Sequence, residues 1–310
     1  MQRLIAIKQS RWSATRFGVP LFIAIGLVLG AATIARAAFN QPGNILITDQ
    51  FNNRVIEIDP AGNIVWRFGS GPGDTSANAI VGTNDAERVG DLTLMSGTGI
   101  PPGATTNCRS GWVDNRVILV DRDGNIVWQY GQFGVTGFGP NQLNNPNAAE
   151  LLGNGHILIS DENNNRAIEV THTAPSRIVA VYTAHGTVSG VAFASRLANG
   201  HTLLTDSNNG RIVEVDARDN SVWEFFTNTR PGSNPSPLPT RAVRLANGNT
   251  LISDQFNDQV IEVTRAKVIV ASYGTINDPG FSPSTSRQMN APYSAYVIGD
   301  YTGLTPPFGF

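Results

Sequence analysis

Residues 43–69 read GNILITDQFNNRVIEIDPAGNIVWRFG, and this phrase returns along the chain. Complete copies read NGHILISDENNNRAIEV from Asn154, NGHTLLTDSNNGRIVEVDARDNSVWEF from Asn199 and NGNTLISDQFNDQVIEV from Asn247. An interrupted copy has LTLMS from Leu92, an insertion, and NRVILVDRDGNIVWQYG from Asn115. Alternating β-branched and aliphatic residues between Asn-Gly, Asp-Gly-Asn and Asp-X-X-Asn-Asn turns predict short antiparallel strands in hairpins. Repetition of this unit predicts an all-β propeller of four-stranded antiparallel blades.

A further predicted strand precedes each phrase except the first, and these leading strands share an alanine column. The column consists of Ala86, Ala149, Ala194, Ala242 and Ala295. The last member has a leading strand but no phrase after it, whereas the phrase at Gly43 has no leading strand before it. We therefore predict five blades, with the C-terminal strand joining the N-terminal blade to close the ring. A six-bladed ring with one unrecognised unit stays open at this point.

The N-terminal residues 1–37 have the layout of a secretory signal. Basic residues precede an apolar stretch from Phe17 to Ala35, and Ala35-Arg36-Ala37 follows as a small-residue cleavage site. An uncleaved membrane anchor is the alternative, because the stretch approaches the ~20 residues that a spanning helix needs. Either interpretation predicts export to the periplasm or the extracellular space, with residues 38–310 forming a single propeller domain.

Charge and cysteine content narrow the classes of partner. The chain has 22 basic and 24 acidic residues, and five of the basic ones lie in residues 1–37. Cleavage would leave 17 bases against 24 acids, a net charge of −7, which disfavours nucleic acid and anionic membrane as partners. Cys108 is the single cysteine, so the chain can form no internal disulfide or thiolate metal cluster. We expect a monomer with no membrane contact beyond the N-terminal segment.

The phrases D-X-X-N-N-R-V-I-E-V/I-D and G-N-I-V-W resemble those of NHL-repeat propellers. The chain is also similar to arylsulfotransferase-like and quinoprotein-like propellers, whose blades read NGN-L-L and G-IVW. The resemblance covers roughly residues 43–300 and implies a propeller, but one propeller scaffold hosts both enzymes and pure binding modules. The arylsulfotransferase resemblance implies a histidine that works with basic residues in sulfuryl transfer.

An arginine column in the leading strands is the main candidate binding site. Arg88, Arg196 and Arg244 occupy matching positions, while Leu151 and Val297 fill the column elsewhere. If these guanidiniums approach the central channel together, they could bind a small anion in bidentate fashion. The alternative is that each arginine pairs with a neighbouring carboxylate such as Glu87 or Glu150 and ties blades together.

Two weaker candidates involve the turns and the loops between blades. The turn carboxylates Asp49, Asp161, Asp206 and Asp254 could bind Ca²⁺, although their recurrence in nearly every blade fits hydrogen bonding within turns better. His185 lies between predicted blades and is the candidate catalytic residue, whereas His156 and His201 fill the turn position of Asn249. Trp66, Trp128 and Trp223 close fourth strands, where we expect them to pack between blades.

No complete catalytic constellation is visible in the sequence, so we predict a binding module without a cofactor. Its expected partner is a small anionic ligand or a protein. The alternatives are an arylsulfotransferase-like enzyme that uses His185 with Arg196 and Arg244, and a Ca²⁺-dependent lactonase or hydrolase.

Overall fold

The computed structural model describes residues 39–106 and 108–306, and it confirms an all-β fold. The described residues form nineteen strands and three short 3₁₀ turns. The first blade contains β1 (Ile45–Asp49), β2 (Arg54–Ile58) and β3 (Ile64–Phe68); the second contains β4 (Thr83–Val89), β5 (Leu92–Ile100), β6 (Trp112–Val120) and β7 (Ile126–Gly131); the third contains β8 (Pro146–Leu151), β9 (Ile157–Asp161), β10 (Arg166–Val170) and β11 (Ile178–Tyr182). The fourth contains β12 (Val191–Arg196), β13 (Thr202–Asp206), β14 (Arg211–Val215) and β15 (Ser221–Phe226); the fifth contains β16 (Arg241–Arg244), β17 (Thr250–Asp254), β18 (Gln259–Val263) and β19 (Ile269–Tyr273).

These strands build a five-bladed β-propeller, as predicted. Blades 2 to 5 are four-stranded antiparallel sheets whose strands pair in sequence order, and blade 1 has three strands. The predicted leading strands are β4, β8, β12 and β16, and they line the central cavity. The connections at residues 132–145 and 274–292 contain no named strand, so neither is a hidden blade. The insertion of blade 2 prolongs its central hairpin, since β5 and β6 run nine residues each.

Turn chemistry explains the regular spacing of the strands. The repeat strands are numbered with the leading strand as the first, so β1 and β2 of blade 1 are its second and third repeat strands. The turn between the second and third repeat strands is a 3₁₀ turn in blades 1, 3 and 5, at Gln50–Asn52, Glu162–Asn164 and Gln255–Asn257. Each ends in a residue with left-handed backbone, which is Asn53, Asn165 or Asp258. Asn and Asp adopt this conformation more readily than most residues, and that explains their recurrence.

Tryptophans join adjacent blades, as the sequence predicts. Trp66, Trp128 and Trp223 are buried in the apolar layers between blades 1 and 2, 2 and 3, and 4 and 5. The indole N–H of Trp66 donates to the carbonyl of Arg122 at 3.0 Å, and that of Trp223 donates to the carbonyl of Arg265 at 2.9 Å. Each indole therefore fills an apolar layer and bonds a turn of the next blade.

The predicted closure by a C-terminal strand is wrong. The described residues after Tyr273 contain no strand, and β1 pairs with β2 alone. Ala295 instead packs with Met289 and Leu304 against an apolar cluster that includes Val243 and Leu251 of blade 5. The segment thus covers the face of blade 5 that no further blade covers, because packing on that face buries apolar surface that pairing with β1 would leave in water.

Candidate functional site

The predicted arginine column forms three separate ion pairs. Arg88 bonds Glu57 at 2.6 Å, Arg196 bonds Glu169 at 2.7 Å, and Arg244 bonds Glu214 at 2.9 Å. Each glutamate lies on the third repeat strand of the preceding blade, so each pair crosses an interface between blades. Burial lowers the pKa of Arg88 to about 10 and lowers that of Arg244 as well, although the paired glutamates oppose the shift.

The same glutamates also bind the turn residues before the second repeat strand. The Nδ1 atoms of His156 and His201 lie 2.6 Å and 2.8 Å from Oε1 of Glu169 and Glu214. In blade 5 Asn249 donates to Glu262 from the equivalent turn. His156 and His201 are therefore turn residues, as the sequence predicts, and the structure adds that each fixes an interblade glutamate.

One interface replaces the ion pair by two leucines. In blade 2 the glutamate position is Leu119, which is buried, and the arginine position of the next blade is Leu151, which packs against the same cluster. Leu151 therefore interrupts the arginine column at the one interface where the glutamate position is also a leucine, Leu119. The arginines tie blades together, and of the three only Arg88 lines the central cavity. The structure does not bring them together, and their role as a shared anion site stays a prediction.

His185 lies on an exposed loop beside blade 4. Its backbone N–H donates to Asp219 at 2.9 Å, and its Nε2 lies 3.0 Å from Oδ1 of Asn220. Asp219 also accepts hydrogen bonds from Thr183 and from the backbone of Ala184. Ala180 of blade 3 occupies the position where blades 1, 2 and 4 carry tryptophan, and Ala184 fills part of the interface between blades 3 and 4. His185 thus belongs to a loop that completes this interface, and its catalytic role stays a prediction.

The four candidate calcium carboxylates lie in four different sheets and already have partners. Asp49, Asp161 and Asp206 form ion pairs with the arginine five residues later, which is Arg54, Arg166 or Arg211. Asp254 pairs with Arg230, and burial raises its pKa to about 6. Within residues 39–106 and 108–306, no group of three His, Cys, Asp or Glu side chains could hold a metal ion.

A cavity of about 740 Å³ lies on the propeller axis. Its wall includes residues of all four leading strands, residues 40–46 and Thr48 of blade 1, and part of the C-terminal segment. Among the leading strands, the lining side chains with charge are Asp85, Glu87, Arg88 and Arg241. Aromatic lining comes from Phe193, Tyr293, Tyr296 and Tyr301.

Arg241 is the centre of a charge cluster at this cavity. Its guanidinium lies 3.6 Å from Asp85, 4.0 Å from Glu87 and 3.4 Å from Glu150, and it stacks over the ring of Phe193 at 4.1 Å. These groups come from blades 2, 3, 4 and 5, so only the arrangement of the blades around the axis brings them together. Glu150 is further fixed by Thr305, whose backbone N–H donates to its Oε2 at 2.8 Å.

The cluster holds more acid than base. Burial raises the pKa of Asp85 and of Glu150, and burial together with the neighbouring Glu150 and Asp85 raises the pKa of Glu87 well above its ordinary value. Burial opposes the charge of Arg241, but the three carboxyl groups together raise its pKa. Two of its shielded polar atoms, Glu87 Oε2 and Arg241 Nε, make no hydrogen bond within the described part of the chain.

Amide and hydroxyl groups form a second feature of the cavity wall. Asn84 donates to Asn147 at 2.5 Å, and the hydroxyl of Tyr293 donates to the same Asn147 oxygen at 3.1 Å. The hydroxyl of Thr240 donates to the carbonyl of Tyr293 at 2.5 Å. These bonds fix the C-terminal segment to blades 3 and 5, so the segment forms one wall of the cavity.

The sequence contains a signal for this site beside the alanine column. Asp85 and Arg241 directly precede alanines of the column, and Glu87 and Glu150 directly follow them. These flanking positions differ in chemistry from blade to blade, whereas the arginine column repeats. Because a repeated residue in a propeller serves the repeated interface, the positions that vary between blades were the better guide to a ligand site.

Comparisons with known proteins establish the fold. No protein-family model and no curated protein sequence matches the chain. A protein of unknown function from Bacteroides caccae is similar in structure, with a TM-score of 0.52, 14% identity, and coverage of 78% of this chain and 76% of that one. A catalytically inactive virginiamycin B lyase from Staphylococcus aureus, solved with quinupristin, gives a TM-score of 0.52, 16% identity and coverage of 77% and 68%.

Another structure of the lyase from the same organism, with selenomethionine, gives a TM-score of 0.48, 15% identity and coverage of 74% and 66%. The chain therefore spans about two thirds of the length of these lyase chains. Together with the described sheets, the two likenesses with a TM-score of 0.52 show that this chain has a β-propeller fold.

Proposed function

We propose that this protein is an exported NHL-like propeller that acts as a binding module, with a small ligand in the central cavity. The observation that carries the proposal is the cavity itself. Its volume, about 740 Å³, lies in the range of small-molecule sites, and its wall combines aromatic rings with a few polar groups from several blades. Glu87 Oε2 and Arg241 Nε of the charge cluster add support, since they are shielded and have no partner among the described residues, so a ligand could bond them.

Export and the NHL resemblance rest on the sequence. Residues 1–37, which carry the export signal, lie outside the described residues. Cleavage after Ala37 would make Ala38 the first residue of the mature protein, which N-terminal sequencing of the secreted chain reads directly. Within the described ranges, no helix is long and apolar enough to span a membrane.

The enzymatic alternatives receive less support from the contacts. The sulfuryl-transfer alternative needs His185 beside Arg196 and Arg244, but the first bonds Asn220 and the two arginines bond Glu169 and Glu214. The calcium alternative needs carboxylates that converge, and the four turn aspartates are in four sheets. A binding role needs neither arrangement.

Blocking the cavity tests the proposed function. Ligand-observed NMR against a library of charged and neutral aromatic fragments should give compounds that bind the protein with millimolar or tighter Kd. The Thr48→Trp variant, which enlarges a side chain of the cavity wall, should weaken them at least about tenfold. Val179→Trp places the same side chain on an exposed position of β11 and is the matched control. Equal binding by both variants would place the ligand elsewhere and refute the proposal.

A further inference from the structure

The charge balance of the cavity is the starting point, and the inference rests on the proposed function. Glu57 and Arg88 neutralise each other at 2.6 Å on one side of the wall. On the other side a single guanidinium, Arg241, serves the three carboxyl groups of Asp85, Glu87 and Glu150. Even when one of the three carboxyl groups keeps a proton, two carboxylates surround one guanidinium. The cavity then carries one negative charge that Arg241 does not neutralise.

Glu87 is the member of the cluster with the weakest internal bonding. Asp85 accepts a hydrogen bond from the backbone N–H of Ala149 at 3.3 Å. Glu150 accepts one from the backbone N–H of Thr305 and one from its hydroxyl. Glu87 shares a side-chain hydrogen bond with Glu150 and approaches Arg241 only at 4.0 Å, and its Oε2 is shielded from water without a partner in the described part of the chain. A shielded carboxyl oxygen without a donor costs free energy that an incoming donor would recover.

The wall beside this cluster suits an organic cation. Phe193, Tyr293, Tyr296 and Tyr301 present aromatic rings to the cavity, and Arg241 already stacks on Phe193. Aromatic faces attract ammonium and guanidinium groups, whereas a small anion would meet uncompensated carboxylates. The volume also exceeds what a hydrated metal ion needs, and the described residues offer no group of three metal-ligating side chains.

We propose that the cavity binds an organic cation, an aromatic or aliphatic amine, whose ammonium group is received by Glu87 and Asp85 and whose apolar part lies against the tyrosines. The charge of this ligand is opposite to that expected from the arginine column. In the free protein, burial together with Glu150 and Asp85 raises the pKa of Glu87 against the opposing effect of Arg241, so its carboxyl group holds a proton more tightly than an exposed one. Binding of the ammonium group releases that proton, because the cation favours the ionised carboxylate.

Three probes with one skeleton and different charges test the inference. Isothermal titration calorimetry compares 2-phenylethylamine, 2-phenylethanol and phenylacetate with the full mature chain, and calcium chloride is a separate arm. The amine should bind at least about tenfold more tightly than the alcohol, and phenylacetate should not bind measurably. Tighter binding of phenylacetate, or calcium binding that excludes the amine, would overturn the inference.

Proton release supplies a readout that needs no variant. Titrations in buffers with different ionisation enthalpies should show that up to one proton leaves on amine binding. The affinity should rise with pH, approaching tenfold per unit where Glu87 is protonated in the free protein and ionised in the complex. Amine binding without proton release, or with falling affinity as pH rises, would contradict the role of Glu87.

Glu87→Gln sharpens the assignment because the amide keeps the shape but cannot ionise. It should weaken the amine at least about tenfold and abolish the proton release. Glu224→Gln changes a half-buried glutamate of β15 that pairs with Arg211 away from the cavity lining, and it should leave both the amine affinity and the proton release unchanged. If the amine does not bind but a neutral or anionic probe does, and Thr48→Trp abolishes the binding of that probe, the inference of a cationic ligand is refuted. The proposed binding function is then still supported. If no probe and no library fragment binds, the proposed function fails as well.

Discussion

The interface between blades 4 and 5 differs from the opposite face of blade 5, although both derive from the same repeat. At the interface Trp223 is 7% exposed and Glu214 bonds Arg244 of the next blade. On the opposite face the tryptophan position is Ala271, and Glu262 bonds Asn247 and Asn249 of its own blade. The interface between blades 4 and 5 thus has both the large aromatic and the interblade ion pair, whereas the opposite face of blade 5, where the C-terminal segment follows, has neither.

Blade 1 shows the same effect from the other end of the repeat array. Ile45 of β1 is 54% exposed, while Thr202, its equivalent in β13, is fully buried. The difference arises because β12 covers the edge of β13, whereas no strand pairs with that edge of β1. The burial of a residue in the repeat therefore depends more on the strands and blades beside it than on the residue type.

Truncation of the interface tryptophan should have the largest effect. Trp223→Ala removes a buried indole and its hydrogen bond to Arg265, and we expect a loss of about 3–5 kcal/mol in the free energy of unfolding. Tyr273→Ala, at the 42% exposed aromatic position of the opposite face, should cost less than about 1 kcal/mol. Urea unfolding monitored by far-UV circular dichroism measures both losses of stability. Equal losses would contradict the expected difference between the two faces.

Removal of the interblade glutamate should have the next largest effect. Glu214→Ala leaves Arg244 without its carboxylate and removes the partner of His201, and we expect a loss of about 3 kcal/mol. Glu262→Ala, which loses only hydrogen bonds from two turn asparagines, should cost about 1 kcal/mol. Chemical unfolding of the two variants at one salt concentration gives the comparison; a larger loss for Glu262→Ala would contradict it.

A smaller effect should appear as a pH dependence within blade 5. Burial raises the pKa of Asp254 from 3.8 to about 6, so the folded state holds its proton more tightly than the unfolded state. The contribution of Asp254 to stability is therefore present below about pH 4 and is lost as the pH rises to about 6, with a total of roughly 2–3 kcal/mol.

The Asp254→Asn variant should lose this component of the pH dependence. Thermal or urea unfolding of both proteins between pH 4 and pH 7 measures it, and Asp216→Asn at an exposed turn is the control. An unchanged slope in Asp254→Asn would show that another group titrates in this window.

The fold was largely predictable from sequence because each blade is a local structure. The alternation in residues 43–69 and its Asp and Asn turns specify hairpins whose partners lie within a few residues, and the structure confirms them. Closure at the C-terminus was predicted wrongly, since the Ala295 segment matches a leading strand in pattern but packs on blade 5. The apolar residues of this segment could be buried either in a strand beside β1 or against the uncovered face of blade 5. The second arrangement is the one observed, because that face of blade 5 has no other cover.

For the candidate site the sequence was a weaker guide. The arginine column is correct as a structural column, and the leucine exception at Leu151 is explained by Leu119. The charged cluster went unrecognised because Asp85, Glu87, Glu150 and Arg241 lie on three strands that are far apart in the sequence. They flank the alanine column, but their chemistry differs from blade to blade, and they meet only because the leading strands line one cavity.

The sequence by itself predicted the blades and their turns and favoured five blades over six, because these features depend on alternation and turn residues over short distances. The tertiary structure alone decided which arginines are neutralised, where the C-terminal segment lies, and that the axis carries an acidic cavity. These properties depend on side chains that are brought together by ring closure, and the free energy of such long-range contacts is set by burial and by neighbouring charge, which a linear pattern does not contain.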